Sequence, residues 1–362
     1  MSFWQEKTVF ITGHTGFKGS WLSLYLQELG ANVFGYALEP EPKSLFAAAK
    51  LNNEFESVFG DIRDFALLES SIKKIQPEII FHLAAQSLVG ASYQSPLETI
   101  EVNVLGSSNL LIAAQNISSV KAVVNVTSDK CYENSDFGKS FCETDRLGGI
   151  DPYSASKACV EIINNSISKS FYKKNNIGLA SARAGNVIGG GDWGIGRLVP
   201  EVLNAIEASK SVKLRYPGAF RPWQHVMEPL SGYALLAQNV FKNPEFFSEP
   251  YNFGPNKENI VSVETLVSYL YTEFNLKTNW IADERHLHHE AVKLDLNSSK
   301  AKSRLLWSPK WSLNKTVSSI VEWHTGYNSG LNMNKITKNQ ISQFINSDKL
   351  VNEKPSTDAL ES

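Results

Sequence analysis

Lys7-Thr-Val-Phe-Ile-Thr12-Gly13-His-Thr-Gly16-Phe-Lys-Gly19, running into an amphipathic stretch over residues 20–29, decides the fold. Residues 7–12 are a short apolar and β-branched run of the kind that makes a buried strand. A glycine-spaced turn and a helical pattern come next. Gly13 permits a tight turn, Gly16 lets the backbone approach a pyrophosphate, and Gly19 allows helix to pack closely on strand. The helix N-terminus adds free N–H groups and the positive end of a dipole. The unit predicts a bound dinucleotide, against the plainer alternative of a structural turn.

Outward from this unit the chain alternates strand and helix. Strands are expected over residues 32–37, 55–60, 78–83, 120–127 and 177–182, with helices over 97–114 and 152–171. That alternation predicts an α/β protein built on a doubly wound parallel (Rossmann) sheet. After Asn186 the texture changes to a glycine-rich loop, then to Pro, Trp and Arg. A smaller α/β substrate-binding lobe is expected over 187–330, interleaved with a segment near 223–254 that returns to the first domain, 1–186. From about Lys335 the chain is rich in Asn, Ser, Lys and Glu, and a loose polar tail is expected over 331–362.

Two clusters carry chemistry. Tyr153 and Lys157 stand one helical turn apart in Asp151-Pro-Tyr-Ser-Ala-Ser-Lys157, which puts a phenol and an ammonium on one helix face. A cation there is expected to pull the phenol's pKa down and ready it to take a proton from a hydroxyl. The second cluster, Ser128-Asp129-Lys130, lies at the end of the fifth strand. In an open parallel sheet ligands bind outside the carboxyl ends of the strands, so it should face the crevice of the glycine turn. Alone, either cluster reads more readily as a solvated helix face or a turn cap.

Composition narrows the rest. The 362 residues carry a net charge of −2, which argues against broad binding to nucleic acid or an anionic membrane. Three cysteines without a Cys-x-x-Cys spacing suit a reducing compartment. No apolar run is long enough to span a bilayer and no secretory segment precedes the first strand, so a soluble cytoplasmic protein is expected. His286-Leu-His-His289-Glu290 lacks the cysteine partners and the His-x-x-x-His spacing of a zinc site, and no metal is expected.

Gly13-x-x-Gly16-x-x-Gly19, His82-Leu-Ala-Ala-Gln86, Asn103-Val-x-Gly106 and Tyr153-x-x-x-Lys157 together resemble the extended short-chain dehydrogenase/reductases over about residues 7–323. Thr127-Ser-Asp-Lys130, Arg146-Leu-Gly-Gly-Ile-Asp-Pro-Tyr153, Asn186-Val-Ile-Gly-Gly-Gly-Asp-Trp193 and Arg221-Pro-Trp-Gln-His-Val226 are similar to the nucleotide-sugar 4,6-dehydratases, in the branch acting on CDP-D-glucose. The dTDP-glucose and GDP-mannose branches carry Glu at the position of Lys130.

The resemblance implies an enzyme that uses NAD in an internal redox cycle. Tyr153 takes the proton of the sugar 4-hydroxyl while hydride passes from C4 to NAD+. The 4-ketone acidifies the C5 hydrogen. A base removes that proton, an acid protonates the departing C6 hydroxyl, and hydride returns to C6. The product is a 4-keto-6-deoxy sugar nucleotide, of the kind used in deoxysugar and O-antigen synthesis. Ser128 would bond the C4 oxygen. Asp129 would be the acid, provided its site keeps it protonated. Lys130 holds the position of the C5 base, with polarisation of the keto oxygen as its alternative role.

By the same resemblance the cofactor is contacted by Gly13, Thr15, Gly16, Phe17, Lys18, Gly19, Asp61, Ile62, Leu83, Ala84, Ala85, Gln86, Thr127, Tyr153 and Lys157, with Asp61 and Ile62 at the adenine. Substrate contacts fall to Ser87, Asn186, Arg197, Leu198, Arg215, Arg221 and His225, the arginines suiting a diphosphate. Helices 97–114 and 152–171 resemble those that pair across the family's dimer interface, implying a homodimer or homotetramer.

One position departs from pattern. The second strand ends Phe34-Gly-Tyr-Ala-Leu38, with Glu39 late for a ribose 2′-hydroxyl and no Arg for a 2′-phosphate. NAD over NADP therefore rests on the resemblance. A nucleotide-sugar 4-epimerase shares the Tyr/Lys pair but needs no acid at Asp129, and an NAD-sensing regulator could dispense with Tyr153 and Lys157.

Overall fold

A computed structural model describes residues 2–134, 139–283 and 294–352. The glycine unit forms as expected: strand β1 (Thr8–Thr12) turns at Gly13 into helix α1 (Phe17–Glu28). Strands β2 (Asn32–Ala37), β3 (Glu56–Phe59), β4 (Ile79–His82), β5 (Ala122–Val126), β6 (Gly178–Ala184) and β7 (Pro250–Phe253) complete a seven-stranded sheet. Its order is β7-β6-β5-β4-β1-β2-β3 and every pairing is parallel. The order reverses between β1 and β4, where a crevice opens at the carboxyl ends.

Both faces of the sheet are covered, so its strands are apolar nearly throughout. Successive residues feed opposite cores: Val9 and Ile11 join one, Phe10 the other. On the first face lie α1, α6 (Met227–Lys242) and Tyr233, Leu236 and Phe253. On the second lie α2 (Phe65–Ile75) and α3 (96–114), with Leu68, Ile72, Leu110 and Leu111. α3 contains a widened i→i+5 turn at Glu101–Leu105, a feature that often marks functional sites.

Helix α4 (Pro152–Ile167) opens on a capped N-terminus: the Asp151 carboxylate accepts the Ser154 N–H at 2.9 Å, and Pro152 presets the first turn. The lobe's own core gathers Val199 and Val202 of α5 (Leu198–Glu207), Leu266 and Leu270 of α7 (Val263–Glu273), and Val317 and Ile320 of α8 (Leu313–Asn328). Its sheets are two-stranded pairs. Within residues 223–254, α6 packs on the large sheet and β7 extends it.

The C-terminal segment differs from expectation. Instead of a loose tail, residues from Met333 form helix α9 (Met333–Asn352). Asn332 caps it by accepting the Lys335 N–H at 3.0 Å, and Met333, Ile341 and Phe344 are buried. Its inner face is partly polar: Trp323 donates to Thr337 at 3.0 Å, and Gln340 donates to the Ser319 carbonyl at 2.9 Å. The His286–Glu290 stretch lies outside the described residues. Among those described, no helix is long and apolar enough to cross a membrane.

Candidate active site

The three glycines of the first turn are needed for different reasons. Gly13 has φ +75°, and a Cβ there would lie 2.6 Å from the Ala84 nitrogen. A Cβ on Gly19 would lie 2.1 Å from the Gly13 carbonyl oxygen. The protein's own packing thus requires both. Gly16 is different: a Cβ would approach nothing closer than 3.4 Å, and the residue is exposed at the N-terminus of α1. Among the described residues no side chain caps that terminus, so its first N–H groups face the crevice. This cradle fits a dinucleotide pyrophosphate.

The floor beside it is rigid. Ala84 N–H donates to Thr12 Oγ1, so the Thr12 hydroxyl donates to His82 Nδ1 at 2.6 Å, and Nε2–H then donates to Ser107 Oγ at 2.9 Å. Burial and the charge of Lys157 hold His82 down at about 3, so it stays neutral. Asn103, in the widened turn of α3, accepts the Gln86 N–H at 2.8 Å and donates to the Gln86 carbonyl and to Ser156 Oγ. The Leu83–Ser87 segment is thereby tied to α4 one residue before Lys157. Asn103 and Ser156 were visible in the sequence only as motif letters; their work as a brace depends on contacts between distant segments.

Tyr153 is 8% exposed, with Ser128 near enough to act on its phenol. Its phenol is pushed up to about 12, first by burial, with Ser128 and Arg197 pulling it down and Asp129 and Asp151 raising it. This corrects the expected lowering by Lys157, whose Nζ stands 6.0 Å from the ring centroid while burial dominates. Lys157 itself is lowered to about 8 by burial, opposed by Glu161 and the Cys131 thiol. Its ammonium donates to the Val126 carbonyl at 3.4 Å.

Ser128 lies two residues past the end of β5 and caps the turn that follows, accepting the Lys130 N–H and donating to Asp129 Oδ1 at 3.0 Å. Asp129 is 4% exposed. Its other oxygen, Oδ2, has no hydrogen-bond partner among the described residues. Burial raises the Asp129 carboxyl above the usual carboxylate range, opposed by Lys130, Ser128, Lys18 and Arg221. That favours the protonated acid. Lys130 is half-buried beside it. Lys18, half-buried in the glycine turn, is lowered to about 8 by burial and by Arg197, while Asp129 raises it. One electrostatic field therefore joins the glycine turn, the end of β5, α4 and the loop before α5.

Arg197 bridges that loop to the crevice: Nη1 pairs with Asp192 at 2.9 Å and Nη2 donates to exposed Ser87 at 3.1 Å. Leu198 comes next as the first residue of α5. Arg215 is exposed, donating to the Gly196 carbonyl. Arg221 is buried, its charge reaching Asp129. Asn186 adjoins Gly185, whose Cα hydrogen side abuts Asp129 Oδ2.

Four of the expected contacts have side chains engaged with other parts of the protein. His225 is 0% exposed, wedged between the rings of Trp21 and Trp311 at 5.5 and 4.7 Å. Burial and Lys315 hold it down at about 3. Ile62 is buried against the site of Gly106. Thr127 turns its hydroxyl inward to Glu161 at 2.5 Å. Asp61 is engaged by Arg63 at 2.6 Å, which holds its carboxyl below the usual range. Thr15, also expected at the cofactor, donates to the Leu38 carbonyl at the tip of β2.

Comparison with known proteins agrees with this geometry. Residues 10–320 match the family described as GDP-mannose 4,6 dehydratase. The chain is 47% identical over 350 residues to the CDP-glucose 4,6-dehydratase of Salmonella typhimurium, covering 95% of this chain and 98% of the relative. Among solved structures, the fold is similar to a UDP-glucose 4-epimerase from Stenotrophomonas maltophila with bound NAD (TM-score 0.79, 21% identity, 90% of this chain and 99% of that one). It is also similar to a dTDP-glucose 4,6-dehydratase from Bacillus anthracis in complex with NAD (TM-score 0.75, 21% identity, 91% and 99%). The resemblance drawn from the motifs is borne out, and the chain belongs to the GDP-mannose 4,6 dehydratase family within the extended short-chain dehydrogenase/reductases.

Proposed function

We propose that the protein dehydrates CDP-D-glucose to CDP-4-dehydro-6-deoxy-D-glucose. The observation that carries this reading is Asp129: a buried carboxyl with an unpartnered oxygen and a raised pKa, within one field of Tyr153. A 4-epimerase has no leaving hydroxyl to protonate, whereas elimination across C5 and C6 needs such an acid. The 47% identical relative carries the same activity in its name.

NAD held at the Gly13–Gly19 cradle would supply a reversible hydride acceptor with no net change in its redox state. Tyr153, as its phenolate, accepts the 4-hydroxyl proton, and Ser128 holds the C4 oxygen. Lys130 takes the C5 proton. Asp129 gives its proton to the C6 oxygen, and water leaves. Arg197, Arg215 and Arg221 hold the diphosphate, with Ser87, Asn186 and Leu198 beside it. The product belongs to the precursors of deoxysugars in lipopolysaccharide.

The protein acts as a homodimer in this reading, through the outer faces of α3 and α4. Leu97, Ile100 and Leu105 on α3 and Ile162 on α4 are exposed apolar side chains, Leu97 at 74%. Leu97→Glu should then yield a monomer by light scattering. Three free cysteines suit the reducing cytoplasm.

Incubation of purified protein with CDP-glucose, dTDP-glucose and GDP-mannose tests the activity. The expected result is an alkali-induced absorbance from a 4-keto product with CDP-glucose. Tight NAD binding without turnover of any sugar nucleotide would sink the enzyme reading in favour of a sensor.

A further inference from the structure

Beneath the active site lies a buried ion pair that none of the catalytic steps uses. Arg183 on β6 and Glu161 on α4 form a bidentate pair, Nε to Oε1 at 2.8 Å and Nη2 to Oε2 at 2.8 Å, with both side chains 3% exposed. Burying two charges is costly, and an apolar pair of similar volume often serves stability as well. The pair therefore calls for a role beyond holding the sheet to the helix.

Its remaining contacts suggest that role. The Thr127 hydroxyl donates to Glu161 Oε1 at 2.5 Å. Arg183 Nη1 donates to Tyr132 Oη at 2.7 Å, and the guanidinium lies over the Tyr132 ring at 4.9 Å. Tyr132 in turn donates to Asn252 of β7 at 2.7 Å. Thr127 immediately precedes Ser128-Asp129-Lys130, and Tyr132 stands two residues beyond Lys130. The triplet is thus bracketed by two hydroxyls held by one ion pair. Glu161 stands one turn beyond Lys157, on the face of α4 that carries Tyr153.

We propose that Glu161 and Arg183 are positioning residues that lock the Ser128-Asp129-Lys130 segment to the helix bearing Tyr153 and Lys157, so that oxidation at C4 and elimination at C5–C6 act on one sugar without realignment. This rests on the dehydratase reading. Ser128 and Asp129 sit on a strand end leading into a short turn, an element with few constraints of its own. The clamp fixes both its ends to α4. Glu161 has a second effect, since its carboxylate is the main group favouring the charged form of Lys157.

The test uses Thr127→Val and Tyr132→Phe, which each remove one hydroxyl and leave the ion pair whole, together with Glu161→Gln. A misaligned segment slows elimination more than oxidation. The expected result for the hydroxyl variants is a fall in kcat of about tenfold to a hundredfold with KM nearly unchanged. NADH should accumulate during turnover, which it should not in the parent protein. Glu161→Gln should also shift the alkaline limb of the pH profile to lower pH, because Lys157 loses the carboxylate that sustains its charge. Should Glu161→Gln fail to fold, the hydroxyl variants decide. Full kcat in both, or a fall in kcat with no NADH build-up, overturns the clamp while leaving the dehydratase reading intact. Inactivity of the parent protein on every sugar nucleotide sinks both.

Discussion

The face of α4 and the end of β5 lie side by side, yet they do different work. Tyr153 and Lys157 on α4 form the apparatus that lets hydride leave a carbon bearing a hydroxyl, and both a dehydratase and a 4-epimerase need it. Ser128-Asp129-Lys130 at the end of β5 determines the fate of the ketone once it has formed. On α4 the chemistry is set by side-chain spacing on a regular helix. At the end of β5 it is set by burial, which raises the Asp129 carboxyl above the usual carboxylate range. The general step is thus written in periodicity and the specific step in environment.

The comparison breaks most sharply at Tyr153. Tyr153→Phe should lower kcat by about 10,000-fold, the upper range for loss of a positioned proton acceptor, and should leave no NADH on mixing with substrate. Survival of C4 oxidation in that variant would remove Tyr153 from the redox role. Asp129→Asn should cost about 100- to 1,000-fold in product formation while sparing oxidation. Lys130→Ala should cost about 100-fold at the elimination step, with Lys130→Glu restoring part of it. A fully active Lys130→Glu alongside an Lys130→Ala that is no worse would free Lys130 from the role of base.

The smallest effect concerns the scaffold under both regions. His14, His82 and His225 are held down to about 4, 3 and 3 by burial. Their folded pKa values lie below that of an unfolded histidine, so the unfolded chain binds more protons across that interval. Stability from these groups is complete above pH about 6.5 and falls as pH drops toward 3 to 4. Thermal unfolding from pH 7.5 down to 5 should show Tm declining below about pH 6.5. A flat profile would mean that none of the three rings is held neutral by the folded protein.

Much of this molecule is legible in its sequence. The sheet could be read strand by strand because β1 to β6 are short apolar runs separated by helical periods, and the ends of most observed strands fall within a residue or two of the expected ones. β6 overruns to Ala184 because it continues inward beside β7. α9 was obscured by composition: Asn, Ser and Lys hide the period Met333, Ile336, Thr337, Gln340, Ile341 and Phe344, whose polar members are paired inside. In the site, the glycine and Tyr/Lys spacings could be read from the sequence, since both act locally. The direction of Tyr153's shift did not emerge from spacing, because it depends on how much protein surrounds the phenol. Nor did the inward turn of Thr127 and His225, which depends on Glu161, Trp21 and Trp311 arriving from distant parts of the chain.

The division between the two regions is tested most directly by a single turnover of Asp129→Asn with CDP-glucose, monitored by the near-ultraviolet absorbance of NADH. The account predicts that NADH forms and persists, with no 4-keto-6-deoxy product, because C4 is oxidised and C6 keeps its hydroxyl. Absence of NADH, as in Tyr153→Phe, or normal product formation would contradict it.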